Sequence, residues 1–446
     1  MNSVIIRGVI TRVQGKDHFI YSVHDGASLF EFSSRIFVQA GEGIIAHCKK
    51  GPGKGTTLVA DEIKTAPEVY FEVESKISSS LVLSDAIEED PCLRGMRPFF
   101  EAVCRKLHAA KQLNRFVMAK FHGDADGIIS ALIISKFLAG EYCKQGAAVY
   151  GIPEARKDME KMGQQPRPLL LLLDFGSGQE SAGSLAMVKF SGIEIISIDH
   201  HPPFPDSAKS LSLGANSWNA CDNGSDYPTG LLCSRIASML GFSSDGLERI
   251  ACAGDRSPLI FPSSDERKKA LALDYSATYA PYGSGLKPYS DLLSSPSLLD
   301  SITLQANSKL EETALMIKRA VKSQFLGGIK VCVFNLDSIA ERGEFPTRGK
   351  IVGIALETLD QGKPLMAIGW GKRSVIFRLN DGAVEKGAKA DEIIRHVKTS
   401  LVDFIENGGG HSRAAALRIK EGYEAIALDA ILAYIGSGKR QGGLGK

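Results

Sequence analysis

A chain of 446 residues has room for two to three domains, and with 44% hydrophobic and 23% charged residues it can bury a sizeable core. A net charge of +2 excludes a protein that binds polyanions through overall charge, while leaving room for a local basic groove. The eight cysteines form no CxxC pair, which argues against a structural zinc site or a disulfide framework and fits a reducing cytoplasm. No targeting segment is visible, and the longest apolar runs, such as residues 169–173, are far too short to span a bilayer.

Residues 1–68 are rich in short alternating segments, which predicts strands at 3–13, 19–23, 28–32, 43–48 and 57–59. His24-Asp25-Gly26-Ala27 reads as a hairpin turn between the second and third. Several short strands in so few residues suggest a small barrel whose order resembles an OB-fold; the alternative is a small β domain used only for docking. Phe19, Tyr21, Phe30 and Phe32 are candidate base-stacking residues, half of which must face the barrel core. The basic loop Lys49-Lys50-Gly51-Pro52-Gly53-Lys54-Gly55-Thr56 lacks the spacing of a phosphate loop, and no helix follows it.

Residues 69–300 alternate predicted strands and helices. Strands are expected at 116–121, 169–173 and 193–198 and a buried helix at 127–138. The unbroken apolar run at 169–173 is the pattern of a parallel strand covered on both faces, so a doubly wound α/β domain is expected. Residues 301–325 read as an amphipathic linker helix, with Leu304, Leu310, Ala314, Leu315, Ile317 and Val321 sharing one side. Residues 326–446 form a second, smaller α/β domain. Its strands are predicted at 330–334, 365–368 and 375–378, its helices at 390–406 and 424–434, and the tail 436–446 reads as disordered.

Three predicted strands run straight into acidic and histidine residues. The first leads into His122-Gly123-Asp124-Ala125-Asp126-Gly127, the second into Asp174, the third into Asp199-His200-His201. Asp255, in Ala253-Gly254-Asp255, follows a helix-like stretch. In a parallel sheet the carboxyl ends of neighbouring strands share one edge, so these residues would converge there. Carboxylates crowded in one cleft repel one another unless cations compensate them. Mixed carboxylate and imidazole ligation suits Mn²⁺ or a similar metal, and two ions about 3.5–4 Å apart would clamp a phosphodiester.

These motifs, in this order, resemble the DHH phosphoesterase superfamily, and within it the RecJ-like single-strand exonucleases of archaeal type. Gly408-Gly409-Gly410-His411-Ser412-Arg413 is similar to the Gly-Gly-Gly-His motif of the DHH-associated C-terminal domain. The resemblance implies a two-metal centre holding Mn²⁺, or Mg²⁺ instead. His122 and Asp124 would bind the first ion, Asp126, His200 and Asp255 the second, and Asp174 both. Asp174, Asp199 and His201 are read as the catalytic set, the latter two orienting ligands or touching phosphate. Gly408, Gly409, Gly410, His411, Arg413 and Arg373 would bind substrate. The resemblance departs at His122, where bacterial RecJ nucleases often carry Asp.

Plainer readings apply elsewhere. His18, His24, His108 and His396 are taken as structural or surface residues, and Asn223-Gly224-Ser225 as a turn. The glycines at 408–410 read as a positive-φ binding loop rather than a simple helix stop after Glu406. The expected activity is exonucleolytic hydrolysis of single-stranded DNA or RNA in repair or replication. Two alternatives stay open: a phosphodiesterase of short oligoribonucleotides or cyclic dinucleotides, and a replisome or repair-helicase partner with secondary nuclease activity.

Overall fold

The computed structural model describes residues 4–51, 58–84, 89–146, 148–281 and 283–437, with the backbone but not the side chain of His411. Most of the basic loop at 51–56 and of the tail at 436–446 therefore lies outside the described residues. The chain divides into two compact units, Met1–Asp274 with Ala280–Ser295, and Tyr275–Tyr279 with Pro296–Lys446.

The first unit begins with β1 (Val4–Gln14), β2 (Phe19–His24), β3 (Leu29–Ser34), β4 (Gly43–Lys50) and β5 (Leu58–Thr65), closed into a barrel in the order β1-β2-β3-β5-β4. This is the expected OB-like barrel. Alternation sends Ile6, Ile10, Tyr21, Val23, Phe32, Ile44 and Ala46 into its core. The turn at Asp25 closes with its N–H on the Ser28 carbonyl, and Gly26 takes φ 104°. Of the four candidate stacking residues, Tyr21 and Phe32 are core residues, and the Tyr21 hydroxyl is occupied by Ile36 O and Val38 N. Phe30 reaches the surface. So does Phe37, which the sequence reading passed over and whose ring centroid lies 5.2 Å from that of Phe19.

The barrel rests on α1 (Pro67–Ser80), which buries Val69, Tyr70, Val73 and Ile77 against Val9 of β1. There follow α2 (Pro91–Gln112), β6 (Val117–His122), α3 (Ala125–Ser135), β7 (Glu141–Gln145), α4 (Ile152–Met162), β8 (Leu169–Leu173), α5 (Ala182–Phe190), β9 (Glu194–Asp199), α6 (Pro205–Ser210), β10 (Leu213–Asn216), α7 (Thr229–Met239), α8 (Leu247–Gly254), α9 (Ser264–Tyr279) and α10 (Lys287–Ser294). Strands β6–β10 form one all-parallel sheet in the order β10-β9-β8-β6-β7. Every residue of β8 is buried, as its apolar run predicts. After β6 the chain turns outward to β7 on one side, then returns to place β8 on the other. The topological switch point thus lies between β6 and β8, where ligands gather in such sheets.

The second unit comprises α11 (Pro296–Ala320), β11 (Lys322–Leu326), β12 (Ile329–Asn335), α12 (Arg348–Leu359), β13 (Leu365–Gly371), β14 (Ser374–Leu379), α13 (Asp381–Glu385), α14 (Ala390–Ser400), β15 (Ile405–His411), β16 (Ala414–Ile419) and α15 (Glu424–Gly436). Its mixed sheet runs β11-β12-β13-β14-β16-β15. Both sheets agree with the expected class, a parallel-sheet α/β domain and a smaller α/β domain behind a barrel.

Several expectations need correction. Cys92 and Cys221, 129 residues apart, form a single disulfide, a pair that the reading against a disulfide framework did not foresee; a pair at that separation leaves no spacing signature. On α11 the buried positions are Leu299, Ala306, Thr313 and Ile317, whereas Leu304 and Leu315 face outward. The helix predicted at 390–406 ends at Ser400. A turn intervenes, and Gly408–Gly410 lie within the edge strand β15 rather than in a loop. None of the three glycines adopts positive φ. Two are required for another reason. A Cβ at Gly408 would lie 2.6 Å from Leu417 Cδ2, and one at Gly410 would lie 2.2 Å from Ala414 O, whereas Gly409 faces open space.

Candidate metal centre

His122 closes β6, Asp174 follows β8 and Asp199 closes β9, so the parallel sheet delivers all three to one edge. Asp124 is the N-cap of α3, its carboxylate accepting the Gly127 N–H at 3.0 Å. Asp126 sits in the first turn of that helix, fully buried, while Asp255 caps the C-terminus of α8. Asp174 takes φ 67°, an uncommon conformation for a residue bearing a Cβ. It is held there by its N–H on the Ile198 carbonyl and by a carboxylate placed among imidazoles. Such backbone strain persists where surrounding contacts over-determine it.

Asp174 is the hub. Its Oδ2 lies 3.3 Å from His122 Nδ1 and its Oδ1 3.3 Å from His200 Nε2. His122 Nδ1 is also 2.8 Å from Asp124 Oδ2. His200 Nε2 is 3.1 Å from Asp255 Oδ2 and 3.8 Å from Asp126 Oδ2. Three groups of ligand atoms result, each within 4.8 Å of one another: His122, Asp124 and Asp174; Asp126, His200 and Asp255; and Asp174, His200 and His201.

The remaining members of the motif orient these ligands. Asp199 is fully buried, and its Oδ1 accepts the backbone N–H groups of His200 and His201 at 2.8 and 3.1 Å and lies 2.8 Å from His201 Nδ1. Its Oδ2 accepts the Ser177 N–H. With its oxygens so engaged, Asp199 shapes the loop. His201 therefore presents its other nitrogen outward, with its side chain 40% exposed. His200 Nδ1 meets the Ser225 carbonyl at 3.1 Å, which makes Nδ1 the protonated nitrogen and leaves the Nε2 lone pair for the cluster.

Sequence reasoning placed a turn at 223–225 but missed the contacts that the segment 216–230 makes with the site. Asn216 donates to His201 O at 2.9 Å and Trp218 Nε1 to His200 O at 3.0 Å. The N–H groups of Thr229 and Gly230 each donate to Asp126 at 2.7 Å, and the Thr229 hydroxyl donates to Asp174. Asp274 was missed too; its carboxylate accepts the first N–H of α3. The Pro-Thr-Gly opening of a helix was the available sign at 228–230. Single hydrogen bonds between distant residues leave no sequence sign.

The charges do not balance among themselves. Burial drives the Asp126 carboxyl well above the usual carboxylate range, and the charges of Asp174 and Asp255 push the same way. Burial would raise Asp174 as well, but the imidazoles of His122 and His200 hold it well below that range. Burial opposes a charged ring at His122 and at His200. Asp124 and Asp174 around the first, and Asp174 and Asp255 around the second, nevertheless lift both well above the ordinary imidazole value. His122 Nδ1 is buried and has no well-aligned hydrogen bond despite its two carboxylate neighbours. Lone pairs facing a common point, in an O/N donor set, fit a divalent cation such as Mn²⁺.

The substrate residues expected in the second unit are differently placed. Arg373, in the turn between β13 and β14 with φ 57°, pairs with Glu406, as does Arg418. Arg413 pairs with Asp381 at 2.9 Å. Gly408–Gly410 run antiparallel to 415–417 of β16.

Residues 114–221 match the family model described as DHH family, N-terminal domain; the match takes in every proposed ligand except Asp255. An uncharacterized protein of Methanocaldococcus jannaschii, MJ1198, is 23% identical over 77% of this chain and 53% of its own length, so the chain spans about half the length of the curated relative it matches. A solved DHH domain described as a member of the s1p family of ribosomal proteins, PF0399, shares 20% identity with a TM-score of 0.73, covering 82% of this chain and 98% of that one. RecJ from Thermus thermophilus, solved in complex with Mn²⁺, shares 15% identity with a TM-score of 0.51 over 77% of this chain and 55% of that one. Among the described residues no helix is long and apolar enough to cross a membrane. Residues 114–221, which carry the Asp-His-His edge, are therefore similar to the N-terminal domain of the DHH family, and the fold is similar to that of the solved DHH domain and of RecJ.

Proposed function

We propose that this chain is a metal-dependent phosphodiesterase that releases nucleotides from an end of single-stranded DNA or RNA. The observation that carries the reading is Asp174, whose two carboxylate oxygens each lie 3.3 Å from an imidazole of a different three-ligand group. His122, Asp124 and Asp174 would hold one cation, and Asp126, His200 and Asp255 together with Asp174 a second. When bound, the pair would polarise a phosphodiester and lower the pKa of water enough for attack at neutral pH. Mn²⁺ is the ion we assign, supported by the mixed donor set and by its presence in the Thermus RecJ.

The chain's own groups do the rest. Asp199 keeps the His201 ring oriented through Nδ1, so its outward nitrogen can donate to a phosphate oxygen or to the leaving oxygen. The Ser225 carbonyl fixes the His200 tautomer. Exposed Phe30 and Phe37 on the barrel offer base-stacking surfaces suited to a single strand. In the second unit, Gly408–Gly410, His411, Arg413 and Arg373 are the proposed holders of the strand end.

The deciding assay is Mn²⁺-dependent digestion of 5′- and 3′-labelled single-stranded DNA and RNA. Release of mononucleotides from one end by the wild type, and none by Asp174→Ala, is the expected result. The barrel favours long strands over dinucleotides. A Phe37→Ala variant should therefore raise KM for a 20-mer and leave a dinucleotide unaffected. Equal effects on both would favour the short-oligonucleotide reading.

A further inference from the structure

Asp126 lies in the first turn of α3 and Asp174 at the end of β8, and their separation determines how far apart two cations would sit. One residue touches both. Thr229, fully buried, opens α7; its N–H meets Asp126 Oδ2 at 2.7 Å, while its hydroxyl meets Asp174 Oδ1 at 3.2 Å. The next N–H, of Gly230, meets the other Asp126 oxygen at 2.7 Å. The first N–H groups of a helix have no partner within it, so they are free to fix an external carboxylate. With both oxygens so tied, Asp126 cannot rotate about its terminal bond without losing a hydrogen bond.

The side chain at 229 suits this task. A β-branched residue has few χ1 options, so its hydroxyl direction is set once the backbone is set. The hydroxyl takes one lone pair of Asp174 Oδ1 and leaves the rest of that oxygen facing His200. Close packing fixes the helix end itself: a Cβ at Gly230 would lie 2.5 Å from Ala251 Cβ and 3.1 Å from Asp126 Oδ1.

We infer that Thr229 is a positioning residue that sets the spacing between the Asp126 and Asp174 carboxylates and thereby the spacing of the paired cations. The inference rests on the two-cation reading. Thr229→Val removes the hydroxyl and keeps both the shape and the backbone N–H. Titration calorimetry of the full chain with Mn²⁺ should show two ions per wild-type chain. In Thr229→Val the weaker ion should bind about 10–100-fold less tightly. The electron paramagnetic resonance signature of a coupled Mn²⁺ pair should weaken. On a single-stranded oligonucleotide kcat should fall while KM holds. Thr229→Ser should restore all three readouts. Should the valine variant fold poorly, the Ser and Ala variants, which differ only by the hydroxyl, report the same contrast.

Wild-type affinity and an unchanged coupled signal in both Thr229→Val and Thr229→Ala would overturn the positioning role while leaving the two-cation centre intact. Equal loss in Thr229→Ser and Thr229→Ala would also overturn it, because packing rather than the hydroxyl would then be the cause. Fewer than two ions bound by the wild type would instead sink the two-cation reading, and the inference with it.

Discussion

The two sheets of this protein place charge in opposite ways. At the carboxyl edge of β6, β8 and β9, five aspartates and three histidines meet, and Asp126, Asp174, Asp199 and His200 are buried. In the second unit the named arginines lie in ion pairs with carboxylates: Arg373 and Arg418 share Glu406, Arg413 pairs with Asp381, and Arg348 with Asp337. In the second arrangement each named cation has a carboxylate partner. The first carries buried carboxylates whose mutual repulsion is only partly offset by imidazoles. Natural proteins retain buried, incompletely compensated ionisable groups mainly where they serve chemistry. The contrast supports the proposal that the reaction belongs to the parallel sheet.

The largest expected effect breaks the hub. Asp174→Ala should reduce Mn²⁺-dependent nucleotide release below detection while circular dichroism stays native; retained activity would show that the parallel edge is not the reactive one. Next comes the cation itself. At one hundred times its dissociation constant, Mn²⁺ should stabilise the fold by about 2.7 kcal/mol, visible as a rise in Tm that EDTA reverses. Without cation, His122 and His200 have values raised above the ordinary 6.5. Their stabilising contribution is complete below that value and is lost as pH rises through the raised values. The rise in Tm on adding Mn²⁺ should therefore grow with pH, and calorimetry in two buffers should show protons released on binding. No proton release would remove the imidazoles from the ligand set.

A smaller effect tests packing. Gly230→Ala forces a methyl against Ala251 and should cost about 1–3 kcal/mol, read from urea denaturation. Gly409→Ala on β15 faces open space and should stay within about 0.5 kcal/mol. The smallest effect belongs to Arg373→Ala, whose partner Glu406 keeps Arg418. Its Tm should be unchanged and only KM for single strands should rise; a KM equal to wild type would remove Arg373 from the substrate residues.

Much of this site was legible because its ligands sit where strong local patterns end. An apolar run such as Leu169–Leu173 announces a buried strand, and the acid that follows it must lie at the sheet edge. The barrel was legible for a similar reason, through the alternation of Ile6, Ile10, Tyr21 and Val23. Residues that act through hydrogen bonds across a long separation, such as Trp218 and Thr229, have no periodicity to betray them. At 401–405 the apolar residues Leu401, Val402, Phe404 and Ile405 continue a helical pattern past the point where the chain turns into β15, so the helix was read too long. Three consecutive glycines read as a loop; in the sheet, two of them instead leave space for Leu417 and the Ala414 carbonyl. Leu304 and Leu315 fit a helical stripe on paper, but the face of α11 that is covered runs through Ala306 and Thr313.

The glycines around Asp126 have a broader consequence. Gly127 approaches the His122 backbone, Gly230 the side chain of Ala251 and Gly254 that of Ala125, each so closely that a methyl group would find an atom within 3.0 Å. Three helix ends thus meet at hydrogen-only contacts, and the coordinates of Asp126 and Asp255 follow from that meeting. Side chains at these positions would shift the helix ends that carry Asp126 and Asp255, although none of the three glycines offers an atom to a cation.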